Sequence, residues 1–504
     1  MIDSVWSYHE RTRYDRYDMK GHALDWGSQP NVYKNYHGRK TVRLPQDVRL
    51  PEETLSKLLT QPWTPDVANE ISLDRLTRIL VLTQALTARA RYGGAYFFYR
   101  SVASAGALYP FELYVATIGV SGLPAGLYYH DLSDQSLVLL RSGSALGPVR
   151  SALFLGDKPD PVLVFFLSSI FFRSSWKYRE RSYRYHLLDT GHLAENLVLA
   201  LRSERLRCEI QYDFDDSLVN SLLGVDQDRE VCLAVAPVWG KSSSAPQLTV
   251  LEEADNGLAD ASKVASTEVD YPAIREIHGA TRVSTTLPSS LPDMTRCLGV
   301  ELEQGKPIVP PETWPERISY GEAVQKRRSM RNFVRAGLTS DRLNAFLTLL
   351  TVEPGANLHR ESVAEAALSI GFLAGNVEGI EPGFYLLDRA ARTVHLAVRG
   401  KVIERMTDAC LNQGWLAQCA VHFVFLCNLE VLEKTWGARA YRHVMLFAGR
   451  LGQRIYLAAT SMLLGCCGIG AYYDGEAAQL LGLNERSRLL YLVATGPVRK
   501  YVER

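Results

Sequence analysis

The chain has 504 residues, 47% hydrophobic and 22% charged, which suits two or three globular domains and excludes a disordered or fibrous protein. A formal net charge of +1 gives no electrostatic reason to expect nucleic acid or an acidic membrane surface as partner. Eight cysteines without a CxxC spacing exclude a zinc-ribbon or disulfide-framework reading and, with a charged, aromatic start (MIDSVWSYHERTRYDR) that lacks an apolar signal core, point to a reducing cytoplasm.

Residues 21–64 are rich in Pro, Tyr and Asn and are expected to form an irregular extension. From Ser72 to Ala88, Leu73, Leu76, Ile79, Leu80 and Leu86 recur at helical spacing. Phe111–Ile118, Gly126–His130, Pro161–Leu167 and Glu230–Val238 are expected strands, and Tyr183–Arg202 a long helix. Between about Lys241 and Glu316 the composition turns to Ser, Pro, Thr and acids, as in a linker, with Tyr271–Ala280 open to a helix docked on the first domain. The pattern then returns. Asp341–Thr348 opens with the Asp-Arg-Leu of Asp74–Leu76; Pro382–Leu387, Ala420–Cys427 and Leu489–Thr495 are expected strands, and Tyr441–Leu464 a long helix. Mixed helices and strands without regular alternation indicate an α+β fold in each half.

The return is a duplication. Arg181, Tyr183, Arg184, Leu188, Gly191, Leu193, Leu199 and Ala200 each meet the same residue 258 positions later, from Arg439 to Ala458. Gly126, Tyr128 and Asp131 match Gly383, Tyr385 and Asp388 at 257. A period this long marks a repeated domain, and the chain is expected to be a covalent version of a two-fold dimer. The expected organisation is a domain over 1–245, a linker or extension over 246–318 and a second domain over 319–504.

Five motifs survive in only one copy each. Arg327, Arg328, Ser329 and Arg331 group cations and a hydroxyl as a phosphate site does, although such a run also fits a solvated helix face. Ser104, Ala105, Gly106 and Ala107 form a small-residue loop that lets a flat ligand approach the backbone, or simply a tight turn. Gly468, Ile469 and Gly470 follow a helix and fit either a ligand-facing backbone loop or a helix-ending turn; their spacing is no dinucleotide fingerprint. Arg499 places a cation after the last strand. Lys177 and Tyr178 sit among arginines, where a base or proton relay could work, or where a surface helix begins. The arginine cluster, the glycine segment and Arg499 belong to the second copy; the small-residue loop and Lys177-Tyr178 belong to the first.

On the Trp176–Arg184 run, the Ser104–Pro110 loop, the opening Tyr8–Thr12 and the arginine cluster, the chain resembles the FMN-dependent nitroreductase superfamily, and within it the SagB/ThcOx-type azoline dehydrogenases. The small-residue loop departs by opening with Ala103 where that family has proline. The resemblance implies two tandem nitroreductase-like domains forming an intramolecular pseudo-dimer with one composite FMN site. The second copy would contribute Arg327, Arg328, Ser329, Arg331, Gly468, Ile469, Gly470 and Arg499, and the first Ser104, Ala105, Gly106 and Ala107. Lys177 and Tyr178 would be catalytic, and no metal is expected. The implied reaction oxidises thiazoline or oxazoline rings of a ribosomal peptide to azoles, with dioxygen as final acceptor and cyclodehydratase proteins as partners. The alternatives are an NAD(P)H-dependent nitro or quinone reductase and a flavin-bound, non-catalytic subunit of a peptide-modifying complex.

Overall fold

The computed structural model describes residues 2–19, 21–66, 68, 70–92, 95–242, 250–255, 257–285, 288, 290–352 and 363–499. The first sheet contains β1 (Thr41–Arg43), β2 (Phe111–Thr117), β3 (Gly126–Asp131), β4 (Ser136–Ser142), β5 (Leu163–Ile170), β6 (Arg207–Cys208) and β7 (Glu230–Trp239). The second contains β8 (Lys306–Pro307), β9 (Ser369–Ala374), β10 (Gly383–Asp388), β11 (Thr393–Arg399), β12 (Val421–Asn428), β13 (Gly465–Ile469) and β14 (Ser487–Gly496). Their orders are β1-β4-β3-β2-β5-β7-β6 and β8-β11-β10-β9-β12-β14-β13, one topology drawn twice. The α+β, two-domain expectation holds.

The repeated Gly-x-Tyr is a local requirement of this topology. The β3–β4 register shifts between Leu127 and Tyr128, and the β10–β11 register shifts between Phe384 and Tyr385. A Cβ on Gly126 would meet the Arg141 carbonyl oxygen at 2.8 Å, and one on Gly383 the Val398 carbonyl oxygen at 2.6 Å. Each tyrosine hydroxyl then donates to a carbonyl four residues back, Tyr128 to Pro124 and Tyr385 to Glu381. A glycine and a tyrosine are thus fixed together at a β-bulge.

Helices α1 (Val5–Arg11), α2 (Ser182–Ser203), α3 (Pro272–Ala280) and α4 (Ala440–Ser461) join the copies. Helices α2 and α4 are buried almost all round, as befits helices lying between two layers. They cross where two glycines face each other: a Cβ on Gly191 would run into the Leu446 carbonyl, and one on Gly449 into that of Leu188. Four repeated arginines close the ends of this crossing. Arg181 and Arg184 reach Asp474 at 2.7 and 2.6 Å, while Arg439 and Arg442 reach Asp216, which lies 258 residues before Asp474. Arg184 also donates to the His9 carbonyl and the Thr12 hydroxyl beside α1; Arg442 donates to the His278 carbonyl and the Thr281 hydroxyl beside α3. Helix α3 therefore does for the second copy what α1 does for the first, and β8 takes the edge position of β1. The stretch 246–318 contributes both.

The expected helix Ser72–Ala88 stops sooner. Ser72 caps Leu73–Thr83, Gln84 turns extended, and Leu86 begins a strand. Leu86–Tyr92 and Ala95–Arg100 form a hairpin absent from the expectations, with Phe97 and Tyr99 in edge-to-face contact at 5.1 Å. The expected irregular extension over 21–64 also holds β1 and a short helix, Leu55–Thr60.

Candidate functional site

A cavity of about 680 Å³ opens between the copies, lined from both. Of the predicted site residues, Ser104, Ala105, Gly106, Ala107, Lys177, Tyr178, Arg327, Arg328, Ser329, Arg331, Gly468, Ile469 and Gly470 all line it. Arg499 does not: it lies exposed at the end of the described chain, where its N–H bonds the Asn332 carbonyl.

The small-residue loop is held in an uncommon conformation. Gly106, Ala107 and Tyr109 have φ of 65°, 54° and 45°. Each non-glycine residue in this region costs roughly 1–2 kcal/mol, so the loop needs outside support. Asp189 of α2 supplies it. Its carboxylate accepts the Ser104 hydroxyl at 2.7 Å and the Ala105 N–H at 3.1 Å, and Ser104 Oγ accepts the Tyr109 N–H at 2.9 Å. Burial pushes the Asp189 carboxyl up to about 7, while the Ser104 and Ala105 bonds pull it down.

Lys177 and Tyr178 end the helix Phe171–Tyr178, where Arg179 takes a positive φ and breaks the chain before α2. Both side chains stand over the loop. A Cβ on Gly106 would lie 2.7 Å from the Tyr178 hydroxyl and 3.4 Å from Lys177 Nζ. Gly106 therefore has two reasons to be glycine, its φ and this approach. Tyr178 packs edge-to-face on Tyr185, with ring centroids 4.7 Å apart. Burial raises the Tyr178 phenol well above its ordinary range; the Asp189 charge adds to the rise and Arg331 opposes it.

The arginine cluster divides in two. Arg327 is buried and donates to the Ser101 and Arg100 carbonyls at 2.6 and 2.7 Å, and Arg328 donates to the Thr87 carbonyl at 2.5 Å. These two arginines clamp the hairpin of the first copy. Ser329 and Arg331 are exposed and face the cavity. The Ser329 hydroxyl meets Tyr456 at 2.9 Å, and Arg331 stands over the Trp415 ring with no carboxylate partner among the described residues. An exposed cation and an exposed hydroxyl beside one buried and one half-buried arginine suit an anionic group.

The glycine segment corrects its expectation as a loop. Gly465–Ile469 is β13, the edge strand on β14. The Gly468 N–H already donates to the Tyr456 hydroxyl at 2.7 Å. The glycines are required by aromatic neighbours: a Cβ on Gly468 would strike the Tyr491 hydroxyl, and one on Gly470 the Tyr185 ring.

Further lining residues escaped the sequence reading, among them Asp189, His192, Tyr456 and Tyr491. His192 bridges Gln453 and the Tyr491 hydroxyl at 2.9 and 3.0 Å, and burial holds it neutral, down to about 4. A signal was available in the repeat itself. At a spacing of 258, Asp189 faces Phe447 and His192 faces Arg450, two unlike pairs inside the best-matched helix.

The position related to this cavity by the repeat is filled differently. Trp436, matching Tyr178, is buried; Arg450 and Arg454 pair with Glu195 at 2.9 and 2.7 Å. The counterpart of the small-residue loop is a short helix, Val363–Ala367, and the matching Ser362 lies outside the described residues.

Comparisons with known proteins agree with this architecture. The nitroreductase family model matches residues 36–241 and 324–497. A crystal structure from Anabaena variabilis, described as nitroreductase-like, superposes with a TM-score of 0.78 at 26% identity, covering 98% of this chain and 99% of that one. The trifolitoxin-processing protein TfxB of Rhizobium leguminosarum bv. trifolii is 29% identical over 225 residues, which is 42% of this chain and 60% of TfxB. The microcin B17-processing protein McbC of Escherichia coli is 31% identical over 150 residues, 28% of this chain and 54% of McbC. The match thus spans little more than half the length of either processing protein. With two copies of one sheet topology, a shared cavity and a family match over both copies, the chain belongs to the nitroreductase family in a tandem form.

Proposed function

We propose that the chain is an FMN-dependent dehydrogenase that oxidises thiazoline or oxazoline rings in a ribosomal peptide to thiazoles or oxazoles, with dioxygen as final acceptor. The observation that carries this reading is the Lys177–Tyr178 pair, seated on Gly106 in a cavity that both copies line. Two relatives named as toxin-processing proteins, TfxB and McbC, support a peptide substrate, and a ring-forming cyclodehydratase is the partner that the resemblance to azoline dehydrogenases implies.

The residues fit the cofactor. Ser329 and Arg331 suit its phosphate, with Arg327 and Arg328 behind them, and the Ser104–Ala107 loop suits its flat ring system. Bound FMN supplies a hydride acceptor, which no side chain provides. The chain must orient the azoline ring and take one proton from it. Tyr178, held as a phenol by burial, donates a hydrogen bond to the ring instead of removing its proton. The proton goes to the lone pair of Lys177 Nζ, which enters the step as the neutral amine and leaves it as the ammonium. One proton and one hydride leave, and the ring becomes aromatic.

The test is mass spectrometry of an azoline-containing peptide incubated with the flavin-loaded protein and its ring-forming partners. The expected product has lost two hydrogens per ring. A yellow protein that leaves the peptide mass unchanged while reducing nitroarenes or quinones with NAD(P)H would replace this reading with the reductase one.

A further inference from the structure

Asp189 has no part in the chemistry above, yet it holds the loop over which Lys177 and Tyr178 stand. It is 4% exposed, lies on α2 and lines the cavity. Both carboxylate oxygens point at the loop: Oδ2 takes the Ser104 hydroxyl and the Ala105 N–H, and Oδ1 takes the Ala105 N–H at 3.2 Å. Among the described residues no cation pairs with it. Two loop donors alone compensate the buried charge, so the loop and the acid depend on each other. The loop needs an outside hold because Gly106, Ala107 and Tyr109 all have positive φ, a conformation that persists only where its surroundings enforce it. In the second copy the acid is Phe447 and the loop is a helix, so acid and loop occur together and are lost together.

We propose that Asp189 is a positioning residue of this site: its ionised carboxylate fixes the Ser104–Ala107 loop against the bound cofactor, and its protonation loosens that hold. The proposal rests on the flavin reading above. Burial sets the carboxyl to change charge near neutral pH, at about 7. Tyr178 at the end of its helix, Tyr185 on α2 and Tyr491 on β14 are pushed up by burial, and His192 on α2 is held down, so none of these four changes charge near neutrality. Lys177, Arg327, Arg328 and Arg331 are the cations that line the same cavity. Protonation turns one carboxylate oxygen from an acceptor into a donor and weakens both loop bonds.

The experiment follows the visible absorption and fluorescence of the flavin-loaded protein from acid to mildly alkaline pH, without substrate. The wild-type protein is expected to show a reversible transition near neutrality. Asp189→Asn keeps the size of the side chain but cannot ionise, and is expected to stay yellow, lose the transition and turn over roughly ten- to hundredfold more slowly, with the peptide KM changed less. Ser104→Ala removes a hydrogen bond that favours the ionised form, so its transition moves to higher pH. This second variant leaves the helix untouched and decides the matter if Asp189→Asn does not accumulate. A wild-type protein without a transition, an Asp189→Asn variant that retains it, or a Ser104→Ala transition that stays put or moves to lower pH overturns the proposal. A wild-type protein that takes up no flavin overturns the reading of the site, and this inference with it.

Discussion

In the proposed reaction Lys177 and Tyr178 carry distinct loads, and single substitutions separate them. Lys177→Ala removes the proposed proton acceptor and is expected to slow azole formation by roughly 10²–10⁴-fold. Lys177→Arg keeps the charge but cannot give up its proton, and is expected to be as slow. Tyr178→Phe removes only a hydroxyl and should also slow turnover. Lys177→Ala and Tyr178→Phe should both remain yellow, since the arginine cluster and the loop are the proposed holders of the cofactor; rapid-mixing kinetics beside flavin absorbance checks this. Parent-like rates in both would make the pair structural. Gly106→Ala acts through the backbone. Its Cβ would sit 2.7 Å from the Tyr178 hydroxyl at a φ of 65°, at a conformational cost of about 1–2 kcal/mol before any clash is relieved. Flavin content and turnover should both fall, in contrast to Ala107→Gly, which relaxes the loop's backbone.

At the scale of elements, the α2–α4 crossing joins the copies and its glycines are the contact points. Gly191→Leu would push the helix backbones apart and is expected to lower unfolding free energy by at least about 1–3 kcal/mol, read by denaturant titration. The arginine–aspartate clusters are the second join. Asp474→Asn leaves Arg181 and Arg184 buried without a counter-charge, an effect of order 3–5 kcal/mol. The Asp474 carboxyl is buried, and the two arginines bring it below the usual carboxylate range, so its contribution is present at neutral pH and is lost as pH falls through the low carboxylate range. The stability gap between wild type and Asp474→Asn should therefore narrow below about pH 4. Legibility in the sequence differed by element. The long helices are readable because they are apolar over many turns, and the Gly-x-Tyr pairs because the repeat copies them, whereas the bulges they mark are not. The Leu86–Arg100 hairpin was not, since Leu86 falls in phase with the helix before it. The Gly465–Ile469 strand reads as a loop in the sequence because Gly468, and Gly470 just past its end, make room for Tyr491 and Tyr185, neighbours that are remote in sequence.

On the scale of the whole molecule, the proposed reading is that duplication has left one composite site where a symmetric pair of copies would have two. The cavity joins Asp189, His192 and Lys177-Tyr178 of one copy to Tyr456, Tyr491 and the arginine cluster of the other. At the related position, Phe447, Trp436 and the Glu195–Arg450–Arg454 group stand instead. The asymmetry was legible in the motifs, but the means by which the second position is filled was not, because it depends on which side chains meet across the crossing. The most direct measurement is the flavin released by heat from the purified protein, identified by chromatography and counted against polypeptide. One FMN per chain is the expected result. A ratio approaching two, or no flavin under conditions that load related proteins, would contradict a single composite site.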